Sequence, residues 1–261
     1  AVYNAHQIVE SSIAAYKKSV CFGFPFVDSL AVLRNFGAGA IFLGLGDDES
    51  IDELEENLES GKIEISKLMC ETPSNPLLKM PNLKRLRHLA DKYEFLIVID
   101  DTLGNFSNVS VLPFADIVVS SLTKLFSGAC DVMGGSLVLN PKSKYYSKLQ
   151  SELAKSYEDL VFAGDADVLE RNSRDFRARS EMINNNANEV VTLLAKSPEV
   201  LRVYYPSLHE SKKYYDDVKT TSGGYGGLIS IEFRREQDSR AFYDALEVAK
   251  GPSLGTNFTL S

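Results

Sequence analysis

The run Asp116-Ile117-Val118-Val119-Ser120-Ser121-Leu122-Thr123-Lys124-Leu125-Phe126-Ser127-Gly128 joins an apolar stretch of strand length to a hydroxyl-rich turn and a single lysine. Hydroxyls such as those of Ser121 and Thr123 hydrogen-bond a phosphate, and an amine on a flexible stem beside them condenses with an aldehyde. A Schiff-base lysine next to a phosphate cradle is what a pyridoxal phosphate site requires. Most lysines are surface groups. The apolar strand before Lys124 and the hydroxyls around it argue against that plainer reading.

A second stretch, Leu96-Ile97-Val98-Ile99-Asp100-Asp101-Thr102, is an apolar run that ends in carboxylates. Flanked by helical patterns, it suits a central parallel strand buried on both faces. Acids at the C-terminal end of such a strand stand where α/β proteins bind ligands. Asp100, the first acid after the run, is expected to face a pyridine nitrogen and keep it protonated. The competing use of Asp100 or Asp101 is to cap the next turn.

Glu71-Thr72-Pro73-Ser74-Asn75-Pro76, Val98-Ile99-Asp100-Asp101-Thr102 and Ser121-Leu122-Thr123-Lys124 follow one another as in a known family. The chain resembles the Cys/Met-metabolism enzymes that use pyridoxal phosphate, among them cystathionine γ-synthase, the cystathionine lyases, methionine γ-lyase and O-acetylhomoserine sulfhydrylase. The resemblance covers nearly the whole chain. Val2-Tyr3-Asn4-Ala5-His6-Gln7, Val132-Met133-Gly134-Gly135-Ser136-Leu137-Val138 and Gly251-Pro252-Ser253-Leu254-Gly255-Thr256-Asn257-Phe258 draw it toward the fungal cystathionine γ-synthase branch. It implies an α/β fold of the aspartate aminotransferase-like type I class, with a mostly parallel sheet in a cofactor-binding large domain over residues 1–158. A connecting helix and part of a smaller α+β domain would fill residues 159–261. It also implies that a phosphate-binding N-terminal turn and a later carboxylate-binding arginine lie outside this chain.

The resemblance assigns roles as well. Lys124 would carry the cofactor and then serve as the mobile base. Asn75 would donate to the ring hydroxyl oxygen, and Ser121 and Thr123 would hold the phosphate. Phe26 would stack on the ring, and Thr102 would join Asp100 in binding the cofactor. Ser253 matches a serine near the lysine and the substrate carboxylate, although a turn or N-cap serine is an equal reading. The implied reaction is replacement of the acyl group of an O-acylhomoserine by cysteine, giving cystathionine, in a cytoplasmic homodimer or homotetramer. A γ- or β-lyase or a sulfhydrylase needs the same parts, and a non-catalytic assembly partner is the alternative of another class. The chain departs from the family at Leu122, where a small residue is usual, at Leu125, where an aromatic is, and at Ala129, where His or Gln is. Phe26-Val27-Asp28-Ser29 stands where Tyr-Gly-Gly-Thr is usual. Phe still stacks through its ring face but carries no proton to transfer.

Composition narrows the classes further. The net charge of −8 over 261 residues disfavours a nucleic-acid surface. The three cysteines, Cys21, Cys70 and Cys130, show no metal spacing and suit a reducing compartment as small buried residues. His6, His88 and His209 are too dispersed in sequence to suggest a zinc site or a triad, and no apolar run spans a membrane.

These residues need positioning elements, and the patterning supplies strands alternating with helices. Strands are expected at 19–24, 40–43, 68–71, 96–100, 117–120 and 133–139. Helices are expected at 1–9, at 28–36 with Asp28 as N-cap, at 47–58, at 82–93 and from Lys142 onward. Residues 167–196 read as one long polar-faced helix or two in succession. A strand over 228–233 and a helix over 237–250 then form the smaller region. Gly223-Gly224-Tyr225-Gly226-Gly227 precedes a strand and opens no helix, so it reads as a flexible turn and not as a phosphate loop.

Overall fold

The computed structural model describes residues 1–13 and 16–261. Helix α1 (Val2–Ser12) leads into β1 (Lys18–Phe22), α2 (Val27–Asn35), β2 (Ala40–Leu43), α3 (Asp48–Glu59) and β3 (Ile65–Glu71). There follow α4 (Leu83–Tyr93), β4 (Leu96–Asp100), the short α5 (Asn105–Asn108), β5 (Ile117–Ser121), β6 (Gly135–Leu139) and α6 (Tyr146–Ser156). The six strands form one sheet in the order β2-β1-β3-β4-β5-β6. All neighbours pair in parallel except β5 and β6. The chain runs outward from β1 to β2, then from β3 to β5 in the opposite direction, so a topological switch point lies between β1 and β3.

The strand sequences dictate two packed faces. Along β3, β4 and β5, Leu68, Cys70, Ile97, Ile99 and Val118 point to one face and pack with Leu54 of α3 and Leu86 and Leu89 of α4. Met69, Leu96, Val98, Ile117 and Val119 point to the other and meet Ile8 and Val9 of α1, Leu33 of α2 and Leu149 of α6. The period of two along each strand puts successive residues into opposite cores, and each fully buried Leu or Ile contributes roughly 1.5–3 kcal/mol. Lys67, only 1% exposed, is a buried charge within β3; it pairs with Glu10 of α1. Asp116 ties the layers together. Its Oδ2 accepts from the Ile97 amide at 2.8 Å and from Arg87 Nη1 of α4 at 2.9 Å, and its Oδ1 accepts from Ser143 just before α6.

Helix starts follow their side chains. Asp47 Oδ1 accepts from the Ser50 amide at 3.0 Å, and Asn82 Oδ1 from the Arg85 amide at 3.2 Å. Asp28 is not an N-cap: α2 begins one residue earlier, Phe26 holds the cap position, and Asp28 lies in the first turn. An acid there still favours the helix N-terminus. After β5 the chain forms a single π-helical turn over Leu122–Phe126, which hydrophobic periodicity does not reveal.

Beyond residue 158 the long polar segment is two helices, α7 (Ala163–Ser173) and α8 (Phe176–Leu194), with the break at Arg174 and Asp175. Strand β7 (Val200–Tyr204), helix α9 (Lys212–Asp216), strand β8 (Ser230–Phe233) and helix α10 (Glu236–Ala245) follow. Strands β7 and β8 pair antiparallel, and α10 ends five residues before the expected Lys250. Cys21 and Cys70 are buried, but Cys130 is exposed, contrary to its reading as a core residue. Among the described residues no helix is long and apolar enough to cross a membrane.

The glycine cluster is tightly held, not loose. Asn108 and Asn184 exchange amide hydrogen bonds at 3.2 and 2.8 Å, and their carbonyl oxygens accept from the Gly224 and Gly226 amides, each at 2.9 Å. A Cβ on Gly224 would lie 2.3 Å from Asn184 Cγ. The missing side chain therefore permits a close approach between the strand-end helix α5, the long helix α8 and this loop. Gly224→Ala should destabilise the protein by about 1–3 kcal/mol through overpacking, read as a lower urea midpoint. An unchanged midpoint would show that Asn184 yields freely.

Candidate active site

The carboxyl ends of β1, β3, β4 and β5 open on the same edge of the sheet, beside the switch point. From β1 the chain reaches Phe26, from β3 Glu71 and Asn75, from β4 Asp100 and Thr102, and from β5 Ser121, Thr123 and Lys124. Each strand core is apolar, so the first polar side chain after it emerges at this edge.

Lys124 lies within the π turn, where its own backbone (φ −84°, ψ −123°) departs from helical values. Its Nζ donates to Ser253 Oγ at 3.0 Å across 129 residues of sequence. The loop that carries Ser253 is pressed against the turn. A Cβ on Gly255, where φ is +72°, would lie 2.7 Å from Lys124 Cβ, and the Asn257 amide donates to Gly128 O at 2.7 Å. Behind the turn, Phe126 packs against Phe106 and Phe176, with ring centroids 6.1 and 5.6 Å away.

One hydroxyl joins the ends of β4 and β5. Thr102 Oγ1 accepts from the Ser121 amide at 2.8 Å and donates to Asp100 Oδ1 at 2.5 Å. The Thr102 amide donates to the same Oδ1 at 3.0 Å. Both donors fall on the one oxygen, Oδ1. Thr123 is less free than its position in sequence suggests: its Oγ1 accepts from the Gly134 amide at 3.0 Å and makes a long 3.3 Å contact to Gly134 O. Phe26 is 59% exposed at the mouth of the site, and Asn75 is exposed on the turn after β3. The hydrogen bonds thus bring Lys124 to Ser253 and Asp100 to Thr102 and the Ser121 backbone.

Sequence reasoning passed over Glu71. It pairs in register with Asp100 across β3 and β4, and it accepts a 2.5 Å hydrogen bond from the Phe26 amide. The signal was the one used for Asp100, an acid closing an apolar strand. Arg179 of α8 was also missed, and nothing in the sequence distinguishes it from Arg177 or Arg174. Its Nη1 and Nη2 donate to the carbonyls of Leu125 and Phe126 at 3.0 and 2.9 Å.

Burial shapes the electrostatics. It pushes the Asp100 carboxyl up from its ordinary range, while the Thr102 side-chain and backbone donors pull it back. A carboxylate in that state is stabilised by a positive charge nearby, and the Ala1 amino group acts on it in this way. A pyridine ring that carries a proton supplies another, a lysine amine suits its aldehyde, and the free Ser121 hydroxyl suits its phosphate. The residues therefore fit pyridoxal phosphate. Asp101 and Glu71 are each pushed up to about 7, first by burial and then by the neighbouring Asp100 charge. Among the described residues no cluster of metal-ligating side chains occurs.

A raised carboxyl pKa means that the folded protein binds its proton more tightly than the unfolded chain. The stabilisation is complete below the ordinary value of 4.5 and is lost as pH rises through about 7. Glu71 should therefore account for about 3 kcal/mol of a fall in unfolding free energy across that window. Glu71→Gln should flatten that part of a urea-unfolding series against pH and leave the part due to Asp101. An identical slope in both proteins would contradict the assignment.

The family model for the Cys/Met metabolism PLP-dependent enzymes matches residues 32–260. Over 266 residues the chain is 50% identical to the cystathionine gamma-synthase of Neurospora crassa, an alignment that spans 100% of this chain and 43% of that protein. It is 47% identical to the cystathionine gamma-synthase of Saccharomyces cerevisiae over 94% of this chain and 39% of that protein. The chain thus spans less than half the length of these curated relatives. The crystal structure of cystathionine gamma synthase from Xanthomonas oryzae pv. oryzae in complex with aminoacrylate and cysteine superposes with a TM-score of 0.78 at 25% identity. That match covers 98% of this chain and 66% of the other. A strand-end lysine, a buried acid and a fold shared with such enzymes have one reading: the chain belongs to the Cys/Met metabolism PLP-dependent enzyme family.

Proposed function

We propose that the protein replaces the acyl group of an O-acylhomoserine by cysteine, forming cystathionine, as a homodimer or homotetramer in the cytoplasm. The observation that carries the reading is the meeting of Lys124 Nζ with Ser253 Oγ at the strand edge where the half-buried Asp100 also lies. The choice of reaction is supported by the relatives, whose names are those of cystathionine gamma-synthases. Assembly and compartment rest on the resemblance to such enzymes. The division into a cofactor-binding part, residues 1–158, and a connecting helix with a partial smaller domain, residues 159–261, belongs to the same proposal.

Lys124, Ser121, Thr123, Phe26, Asn75 and the Asp100–Thr102 pair are the residues that would hold pyridoxal phosphate. When bound, it supplies an electron sink for bonds broken beside the amino-acid α-carbon. Asp100 would favour a proton on the ring nitrogen of the bound group by placing a negative charge near it. Lys124 Nζ is the repositionable base. It would take the Cα proton, give it up, and then take a Cβ proton of the acylhomoserine; the acyl oxygen would leave Cγ with its bonding pair as a carboxylate, and the cysteine thiol would lose its proton as its sulfur bonds to Cγ. The same amine returns the protons to carbon. Ser253 Oγ accepts from Nζ and so fixes where the amine waits between transfers. The Glu71 carboxylate anchors the backbone of Phe26 and thereby the ring that would cover the cofactor.

Treatment of the full-length protein with pyridoxal phosphate and borohydride should leave a pyridoxyl group on Lys124, found by peptide mapping. Lys124→Ala should lose it together with turnover by a factor of about 100 or more. Cystathionine should form only when an acylhomoserine and cysteine are both supplied. Ammonia and a keto acid from a single substrate would assign a lyase instead, and no label on Lys124 would overturn the enzyme reading.

A further inference from the structure

We propose that Arg179 is a positioning residue for Lys124: its guanidinium holds the turn from which the lysine reaches the Ser253 loop. The inference rests on the reading of Lys124 as the cofactor lysine and adds a residue from the long helix α8 to that site.

The turn creates a need that the sequence near it cannot meet. Within the π turn, the Ser127 amide closes on Leu122 O at 3.0 Å and the Gly128 amide on Lys124 O at 2.7 Å. The chain then swings away at Gly128, where φ is +76°. The Leu125 and Phe126 carbonyls are left at a helix end with no following helical amide to bind them. Arg179 supplies both donors, Nη1 to Leu125 O at 3.0 Å and Nη2 to Phe126 O at 2.9 Å. Nη2 also donates to Asn172 O at 2.9 Å, and Nε to Asp175 at 2.7 Å. The side chain is only 12% exposed. A planar fork that binds two successive carbonyls and two further acceptors is a task for arginine; a lysine ammonium is a point donor without that fixed geometry.

The contacts run on through the turn to the opposite loop. A Cβ on Gly128 would lie 2.5 Å from Arg179 Nη1 and 3.4 Å from Asn257 Cβ. Gly128 is thus a thin spacer between the guanidinium and the loop whose Ser253 receives Lys124 Nζ. A base that must relocate its amine during turnover needs a fixed backbone to swing from, because small misplacement of a catalytic group is costly in rate. Arg179 provides that fixed point from outside the sheet.

The test uses the full-length holoenzyme with Arg179→Lys, Arg179→Met and the control Arg174→Met. Arg174 is an exposed residue at the break between α7 and α8, paired with Glu170. Circular dichroism and melting establish folding. Borohydride trapping gives the pyridoxyl yield on Lys124, and kinetics separate kcat from KM. The expected result is a folded Arg179→Lys protein with a several-fold lower Lys124 yield, a kcat reduced roughly 10- to 100-fold and a KM moved by less than about threefold. Arg174→Met should match the parent in all three. Should Arg179→Met fail to fold, the lysine variant decides. Parental trapping and kcat in Arg179→Lys, with or without a lower melting temperature, would overturn the positioning role. A parent protein that takes no label on Lys124 would overturn the functional reading first and this one with it.

Discussion

The three central strands are covered on both faces, and most of the structure follows from that constraint. A strand buried this way accepts polar side chains only where a partner travels with them, as Lys67 brings Glu10 and as Asp116 gathers Arg87, Ser143 and the Ile97 amide. Everything else polar is displaced to the strand ends. Because the five strands from β2 to β5 run parallel, their carboxyl ends fall on one edge. The chemistry of the protein gathers there because the core excludes it elsewhere.

At that edge the polar groups are fastened to one another and not merely adjacent. Thr102 links Asp100 to the Ser121 backbone, Glu71 links the end of β3 to the loop after β1, and the 253–257 loop closes on the lysine turn. Glu71 and Asp100 end the neighbouring strands β3 and β4, Asp101 follows directly, and burial pushes each of the three upward in pKa. Such a cluster is unfavourable by itself. It becomes more favourable around a cation, which accords with the proposed site.

The sheet was readable because its signals are local. Apolar runs such as Leu96–Ile99 and capped helices such as those begun by Asp47 and Asn82 carry their evidence within a few residues. The candidate residues Lys124, Asp100 and Ser121 were legible for the same reason, each lying at or just after the end of a buried strand. What the sequence hid depends on distant partners. Gly224 is small because Asn184 lies against it, Arg179 stands apart from Arg177 only through the carbonyls it meets, and the Thr123 hydroxyl is taken by Gly134. Asp28 misled because α2 starts at Val27 with no side chain capping it, and the amide of Phe26 in the cap position is bound by Glu71, far downstream in the sequence.

The Thr102 hydroxyl, set between Asp100 and the Ser121 amide, has a consequence for ligand choice. It makes the two ends of the proposed cofactor pocket the jaws of one caliper: the acid that would meet the ring nitrogen and the strand end that would meet the phosphate cannot move apart independently. A pocket of fixed span gauges the length of what enters it. On the proposed reading of the site, an unphosphorylated pyridoxal would touch one jaw only, and a single side-chain oxygen would favour the phosphorylated vitamer.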